Sequence, residues 1–181
     1  MEPNTPPEEF ETERLRLRRP VLSDAAEIFE RWTQDPAVSR YLVWRPHETL
    51  AQAEQHIARC IASWEDGTEF VWHIENLGSG ALVGALACRP DHHGVNLGYL
   101  LARDSWGEGY MVEALRPLIE YWLAQPAIYR VWATCDPENR ASARVLQKSG
   151  FELEGVLRRW ERHPNLGDEP RDALCFSKVR D

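Results

Sequence analysis

One run constrains this chain more than any other: Asn96-Leu97-Gly98-Tyr99-Leu100-Leu101-Ala102-Arg103-Asp104-Ser105-Trp106-Gly107-Glu108-Gly109-Tyr110-Met111-Val112-Glu113-Ala114. It predicts a buried strand, a turn with two glycines spaced by one residue, and an amphipathic helix with Met111, Leu115, Leu118 and Trp122 on one face. Glycine lets the backbone approach a ligand closely, and a fresh helix N-terminus offers unpaired N–H groups to an anion. Strand, glycine turn and helix in that order form a cradle for a diphosphate. A plain strand-to-helix turn has the same pattern, and the run is neither GxGxxG nor a P-loop.

The other elements place this run inside a sheet. Leu15 and Leu17 alternate with Arg14, Arg16 and Arg18, which predicts a half-buried strand over 12–19. Asp24 with Glu27, and Thr49 with Gln52, read as capping boxes opening helices over 25–35 and 50–64. Strands follow at 70–74, 81–88 and 95–102, with turns at Asn76–Gly80 and Asp91–Gly94. Pro117 sits inside the helix after Gly109, where it costs about 3 kcal/mol or forces a kink. A strand over 130–135 precedes Asn139, an N-cap for a helix over 140–149 that stops at Gly150 with Phe151 beyond it. Strands over 153–161 and 172–179 close the chain. The order β-αα-βββ-α-β-α-ββ is one α/β domain over 11–181, with helices on both faces of a mixed sheet, after a Pro- and Glu-rich flexible tail over 1–10.

Composition narrows the partners. A formal net charge of −8, with no isolated Lys/Arg cluster, argues against nucleic acid and favours basic partners such as amines. Cys60, Cys88, Cys135 and Cys175 form no CxxC pair, and no apolar run has the length of a membrane span, so a reduced cytoplasmic setting is expected. His92-His93 lies in a turn with no further ligands at metal spacing, so no metal is expected; His73 reads as a satisfied sheet histidine, and the remaining histidines carry no pattern.

Four segments in order carry a family likeness: Thr12-Glu13-Arg14-Leu15-Arg16-Leu17-Arg18, Leu97-Gly98-Tyr99, Trp106-Gly107-Glu108-Gly109-Tyr110, and Asp136-Pro137-Glu138-Asn139-Arg140-Ala141-Ser142 running on through Val145–Phe151 to Glu154-Gly155. Together they resemble the GNAT superfamily of acetyl-CoA-dependent N-acetyltransferases, and within it the ribosomal-protein N-terminal acetyltransferase branch. The resemblance spans residues 11–180 and implies a mostly antiparallel sheet of about seven strands. It implies acetyl-CoA as cosubstrate, with its diphosphate held by backbone N–H groups of Ser105, Trp106, Gly107, Glu108, Gly109 and Tyr110. It places the thioester along Leu100, Leu101 and Ala102, Asn139 on the pantetheine arm, and Ser142 at the sulfur as proton donor. Two residues depart from the family: Glu108 stands between the glycines where relatives often carry a basic residue, and Asp104 stands where they often carry Gln or Arg.

Acetyl transfer to an amine needs a proton acceptor, a stabilised oxyanion and help for the departing thiolate; an α-amine with a pKa of about 8 requires only a modest base. The resemblance implies Glu161 as that base, and Asn96, which stands at another base position, cannot serve. Each residue also has a structural reading. Glu161 fits an ion pair with Arg158, Arg159 or Arg162; Asn139 fits a plain cap; Ser142 fits an exposed hydroxyl; Glu113 fits a tie from the helix start to neighbouring backbone. Tyr41–His47 is expected to border the acceptor, with Trp44, Trp72 and Trp160 either lining that pocket or filling core. The acceptor is expected to be a protein N-terminus or a small amine. Many relatives dimerise, so a homodimer is open to this chain. An inactive acyl-CoA-binding sensor or interaction module is the alternative, motivated by Asp104 and Glu108.

Overall fold

The computed structural model describes residues 5–180; the part of the expected tail over 1–4 lies outside them. Alternation builds the sheet. In β2 (Leu15–Arg18) both leucines are fully buried, while Arg16 bonds Glu11 and Arg18 bonds Glu75 and Asp24. With β1 (Glu9–Glu11), β3 (Phe70–Asn76), β4 (Leu82–Asp91), β5 (Gly94–Leu101), β6 (Arg130–Cys135), β7 (Glu152–Glu161) and β8 (Arg171–Val179), the eight strands run β1-β2-β3-β4-β5-β6-β8-β7. Every pairing is antiparallel except β5 with β6.

β1 is the strand the sequence pattern did not separate, and its first two residues lie in the segment expected to be a loose tail. Phe10 pairs with Leu17 and packs edge-on against Trp72 and Tyr121. One apolar residue in three shows no alternation, so nothing in the sequence separated this strand from the tail.

The helices divide between the faces. On β3, Trp72 and Ile74 join the cluster under α4 (Tyr110–Ala124) with Leu115, Leu118 and Trp122. His73 points the other way, to Trp32 in the π-turn (Phe29–Thr33) that follows α1 (Ala25–Ile28). There α2 (Pro36–Ser39) and α3 (Leu50–Asp66) complete the second layer through Val38, Ala53 and Ile57. Gln52 closes the start of α3 by accepting the N–H groups of Glu48 and Thr49. α5 (Arg140–Lys148) ends at Gly150, φ 82°, where Gly150 N–H reaches Gln147 C=O and Phe151 N–H reaches Leu146 C=O, the paired bonds of a Schellman turn. α4 runs unbroken through Pro117.

The expected box at Asp24 and Glu27 is a correction. Asp24 is buried, accepts from Val21 N–H and Arg18, and bonds His73 Nδ1 at 2.7 Å; Glu27 accepts Leu82 N–H. A buried carboxylate goes to the cation and imidazole across the sheet rather than to a helix end, because the Arg18 charge and these hydrogen bonds offset its desolvation. The helix expected as far as Asp35 instead breaks into α1, the π-turn and α2, with Asp35 capping α2 through Ala37 N–H.

The feature that positions a site is the β5–β6 pair. The two strands pair only over Gly94–Asn96 and Arg130–Trp132, then diverge. β5 therefore continues to Leu101 with one side open. Among the described residues no helix is long and apolar enough to cross a membrane.

Candidate active site

The fork leaves backbone groups of β5 without a neighbouring strand. Ala102 N–H donates to Val83 C=O at 2.9 Å, and the antiparallel register alternates from there. Leu100, like Ala102, turns its main chain to β4, while Leu97, Tyr99 and Leu101 turn theirs to the open side. Leu101 C=O accepts Trp106 Nε1 there at 2.9 Å. Of the three residues expected along the thioester, Leu101 is thus the one whose amide faces the fork, as that of Tyr99 does; Leu100 and Ala102 turn theirs to β4, while Leu100 still lines the groove beside it.

The glycine turn lies at the end of this strand. Gly107 and Gly109 take φ of 86° and 79°, the left-handed region that disfavours any Cβ. Gly109 is the N-cap of α4 and has no side chain to cap it, so the first-turn amides of α4 point outward without side-chain partners. The amides available are fewer than expected. Ser105 is buried and its N–H goes to Ala102 C=O, while Trp106 N–H goes to Arg103 C=O, so of the six amides expected to hold the diphosphate those of Gly107, Glu108, Gly109 and Tyr110 are without such a bond among the described residues. Both family departures have a local account. Asp104 is held by Arg31 at 2.9 and 3.0 Å, and Glu108 is exposed while its carbonyl accepts from Arg14 Nη1 at 3.1 Å. Glu113 ties the helix start down by accepting from the Thr12 hydroxyl, Arg14 N–H and the Arg14 guanidinium. Burial opposes ionisation of Glu113, but those bonds outweigh it and hold its carboxyl below the usual range.

Across the fork, α5 presents Asn139 and Ser142. Asn139 Oδ1 accepts Ser142 N–H at 3.2 Å, so the residue is a cap that also lines the groove. Ser142 Oγ lies 2.9 Å from the Tyr99 hydroxyl. Burial pushes the Tyr99 phenol up, the Ser142 bond only partly opposing it, so the phenol stays protonated. The sequence names Tyr99 only as part of a motif; its partner is 43 residues away. Cys135 completes the pocket, its thiol pushed up to about 11 by burial.

From the fork a groove of about 530 Å³ opens on the face of α1–α3. Glu161 lines it. A register shift between Leu157 and Glu161, with Arg159 at φ 49°, turns the end of β7; a bulge of this kind re-aims side chains. Arg159 pairs with Glu169, and among the described residues no ion pair involves Glu161. Trp44 lines the groove with His56 and Cys60, its ring stacked near His47 and His56. Burial holds His56 down at about 4 and Cys60 up at about 12, so this wall is uncharged at neutral pH. His163 is buried beside Asp136, which Arg171 grips at 2.6 Å. The histidines of this wall come from distant segments, so no spacing announces them.

Two of the three tryptophans are corrections. Trp72 is fully buried, donates its Nε1 to Pro7 C=O and packs on Trp64, so it is core. Trp160 is 53% exposed on the edge strand β7 and does not line the groove. His92 lies in an exposed turn, His73 is satisfied by Asp24, and among the described residues no three His, Cys, Asp or Glu side chains converge as metal ligands.

Comparison with known proteins places this geometry. The model of the acetyltransferase (GNAT) domain matches residues 14–152. The uncharacterized N-acetyltransferase YoaA of Bacillus subtilis (strain 168) is 31% identical over 174 residues, covering 94% of this chain and 96% of its own. The fold superposes on the microcin C7 self-immunity acetyltransferase MccE, solved with acetyl-CoA and AMP, with a TM-score of 0.86 at 21% identity over 97% and 98% of the chains. It also superposes on RimL, the ribosomal L7/L12 α-N-protein acetyltransferase in complex with coenzyme A, with a TM-score of 0.82 at 20% identity over 94% and 96%. With the family model over most of the chain and a relative 31% identical along nearly its whole length, this chain belongs to the GNAT acetyltransferase family and is an N-acetyltransferase.

Proposed function

We propose that this enzyme moves the acetyl group of acetyl-CoA directly onto a primary amine, a protein N-terminus or a small amine, without a covalent enzyme intermediate. The observation that carries this reading is the β5–β6 fork, which exposes the amides of Tyr99 and Leu101 between the cradle at Gly107–Tyr110 and the groove holding Glu161. The cradle takes the diphosphate, since four amides at a helix start favour an anion and glycines let it approach. Asn139 meets the pantetheine arm. The acceptor nitrogen attacks the thioester carbonyl, the oxyanion is stabilised by the open β5 amides, and the proton lost by nitrogen goes to Glu161 or to a water it holds. As the C–S bond breaks, the Ser142 hydroxyl hydrogen-bonds the sulfur that takes the electron pair.

Trp44 forms the acceptor wall. Asp104 is matched by Arg31 and Glu108 faces solvent, so neither acid argues for a coenzyme sensor over an enzyme. The four free cysteines are all buried, which suits a reducing cytoplasm. Thiol release from acetyl-CoA, measured against a panel of N-terminal peptides and small amines, tests the reading. Turnover with at least one of them is expected; coenzyme binding with no turnover across the panel would overturn it.

A further inference from the structure

Beyond the transfer chemistry, and resting on the groove as the acceptor site, we propose that Asn165 is a specificity-determining residue that sets the width of the acceptor mouth. His163-Pro164-Asn165-Leu166 forms a tight turn closed by Leu166 N–H to His163 C=O at 2.8 Å, with Pro and Asn at its central positions. The turn presents the Asn165 side chain to the opposite wall. There one amide nitrogen, Nδ2, donates to Ser39 C=O at 2.6 Å and to Trp44 C=O at 2.8 Å. Both acceptors are carbonyls, so the orientation of the amide is settled by chemistry: only the NH2 end satisfies two of them.

The two carbonyls bracket Tyr41, Leu42, Val43 and Trp44, all of which line the groove. Ser39 is fully buried and serves as the fixed end. Among the described residues the main chain of 41–44 has one local bond, Leu42 N–H to Ser39 C=O, and one tertiary bond, from Asn165 to Trp44. That wall is therefore irregular backbone: Leu42 packs into the core under α1–α3 and His47 N–H reaches Thr33 C=O beyond it, but the hydrogen bond on the Trp44 main chain comes from a side chain 121 residues away. Holding the Trp44 carbonyl also fixes its ring against His47 and His56. Among the described residues the hydrogen bonds of the clasp go to Ser39 and Trp44 and not to the glycine turn or α5, so its effect falls on the acceptor side of the groove.

The test compares wild type with Asn165→Ala and Asn165→Asp, the latter isosteric but facing a carboxylate to two carbonyls. Kinetics are measured with a free-N-terminus peptide and with a linear polyamine, and acetyl-CoA affinity by calorimetry. Loss of two hydrogen bonds is expected to raise KM for the preferred acceptor about 10-fold and to shift the preference between the two acceptors about 5-fold or more. Acetyl-CoA Kd is expected to stay within about twofold, which also reports that both variants fold. Unchanged acceptor KM and unchanged preference in both variants would overturn the inference. If wild type acetylates no amine, the transfer reading fails instead; the clasp is then judged by amide exchange over 39–44, expected to quicken about 10-fold in both variants, and unchanged exchange overturns it.

Discussion

Arg14 and Glu113 lie 99 residues apart in the chain and meet at three points, main-chain N–H to Oε1 at 2.9 Å, Nε to Oε2 at 2.7 Å and Nη2 to Oε2 at 2.6 Å. The same guanidinium reaches the Glu108 carbonyl and lies over the Tyr110 ring. One arginine in the bend just before β2 thereby anchors both the glycine turn and the helix that follows it. This gives the Thr12–Arg18 segment a physical reason to accompany the turn.

Substituting the turn glycines should act on coenzyme affinity first. At Gly107 a Cβ meets nothing within 4 Å, and at Gly109 only Arg14 Nη2 at 3.8 Å, so space is not the obstacle. The obstacle is the left-handed backbone, which costs a residue with a Cβ about 1–2 kcal/mol. Gly107→Ala and Gly109→Ala should each raise acetyl-CoA Kd about 10-fold in calorimetry. An unchanged Kd in both would mean that these amides do not hold the carrier.

Glu161→Gln keeps size and polarity while removing the carboxylate. If it takes the amine proton, kcat should fall about 10²–10⁴-fold with acetyl-CoA Kd preserved. A rate within about threefold of wild type would reject that role.

Tyr99 and Ser142 should be coupled. Tyr99→Phe leaves the ring in place and removes the 2.9 Å contact that orients the serine hydroxyl. Its kcat should fall about 3–10-fold, and Ser142→Ala about 10–100-fold. If Tyr99 acts through Ser142, the double variant should be no slower than Ser142→Ala alone. Fully multiplicative losses would show two independent contributions.

What the sequence disclosed and what it hid divide by range. Gly107, Gly109 and the cap at Asn139 were legible because turn and cap chemistry is local: each requirement is met within a few residues. β2 was legible by alternation and the other longer strands as runs bounded by turn residues, but β1 was not, because Glu-Phe-Glu offers neither signal. Trp44 and Trp72 look alike in sequence, yet one walls the groove and the other is core. The difference is which face of the sheet or loop each occupies: Trp72 is fixed by pairing with β2 and β4, while Trp44 sits on a loop, its carbonyl held by Asn165 and its ring meeting His47 and His56. Asp24 misled for the same reason, since His73, 49 residues away, competes for its carboxylate. The fork itself depends on where β6 stops pairing with β5, which no local pattern encodes.

His56 gives a pH-dependent stability with a definite sign. Burial holds its folded pKa at about 4, against an ordinary value of 6.5, with His47 and Arg59 adding to the shift. The unfolded chain therefore binds a proton between those two values where the folded chain does not. Stability contributed by the neutral ring is complete above pH about 6.5 and is lost as pH falls toward about 4, a difference of about 2–3 kcal/mol. His56→Phe keeps an aromatic ring against Trp44 and removes the titration. Its denaturation midpoint should consequently fall less than that of wild type between pH about 7 and 4.5, as followed by urea unfolding. Parallel pH profiles for the two proteins would show that this imidazole does not remain neutral in the folded state.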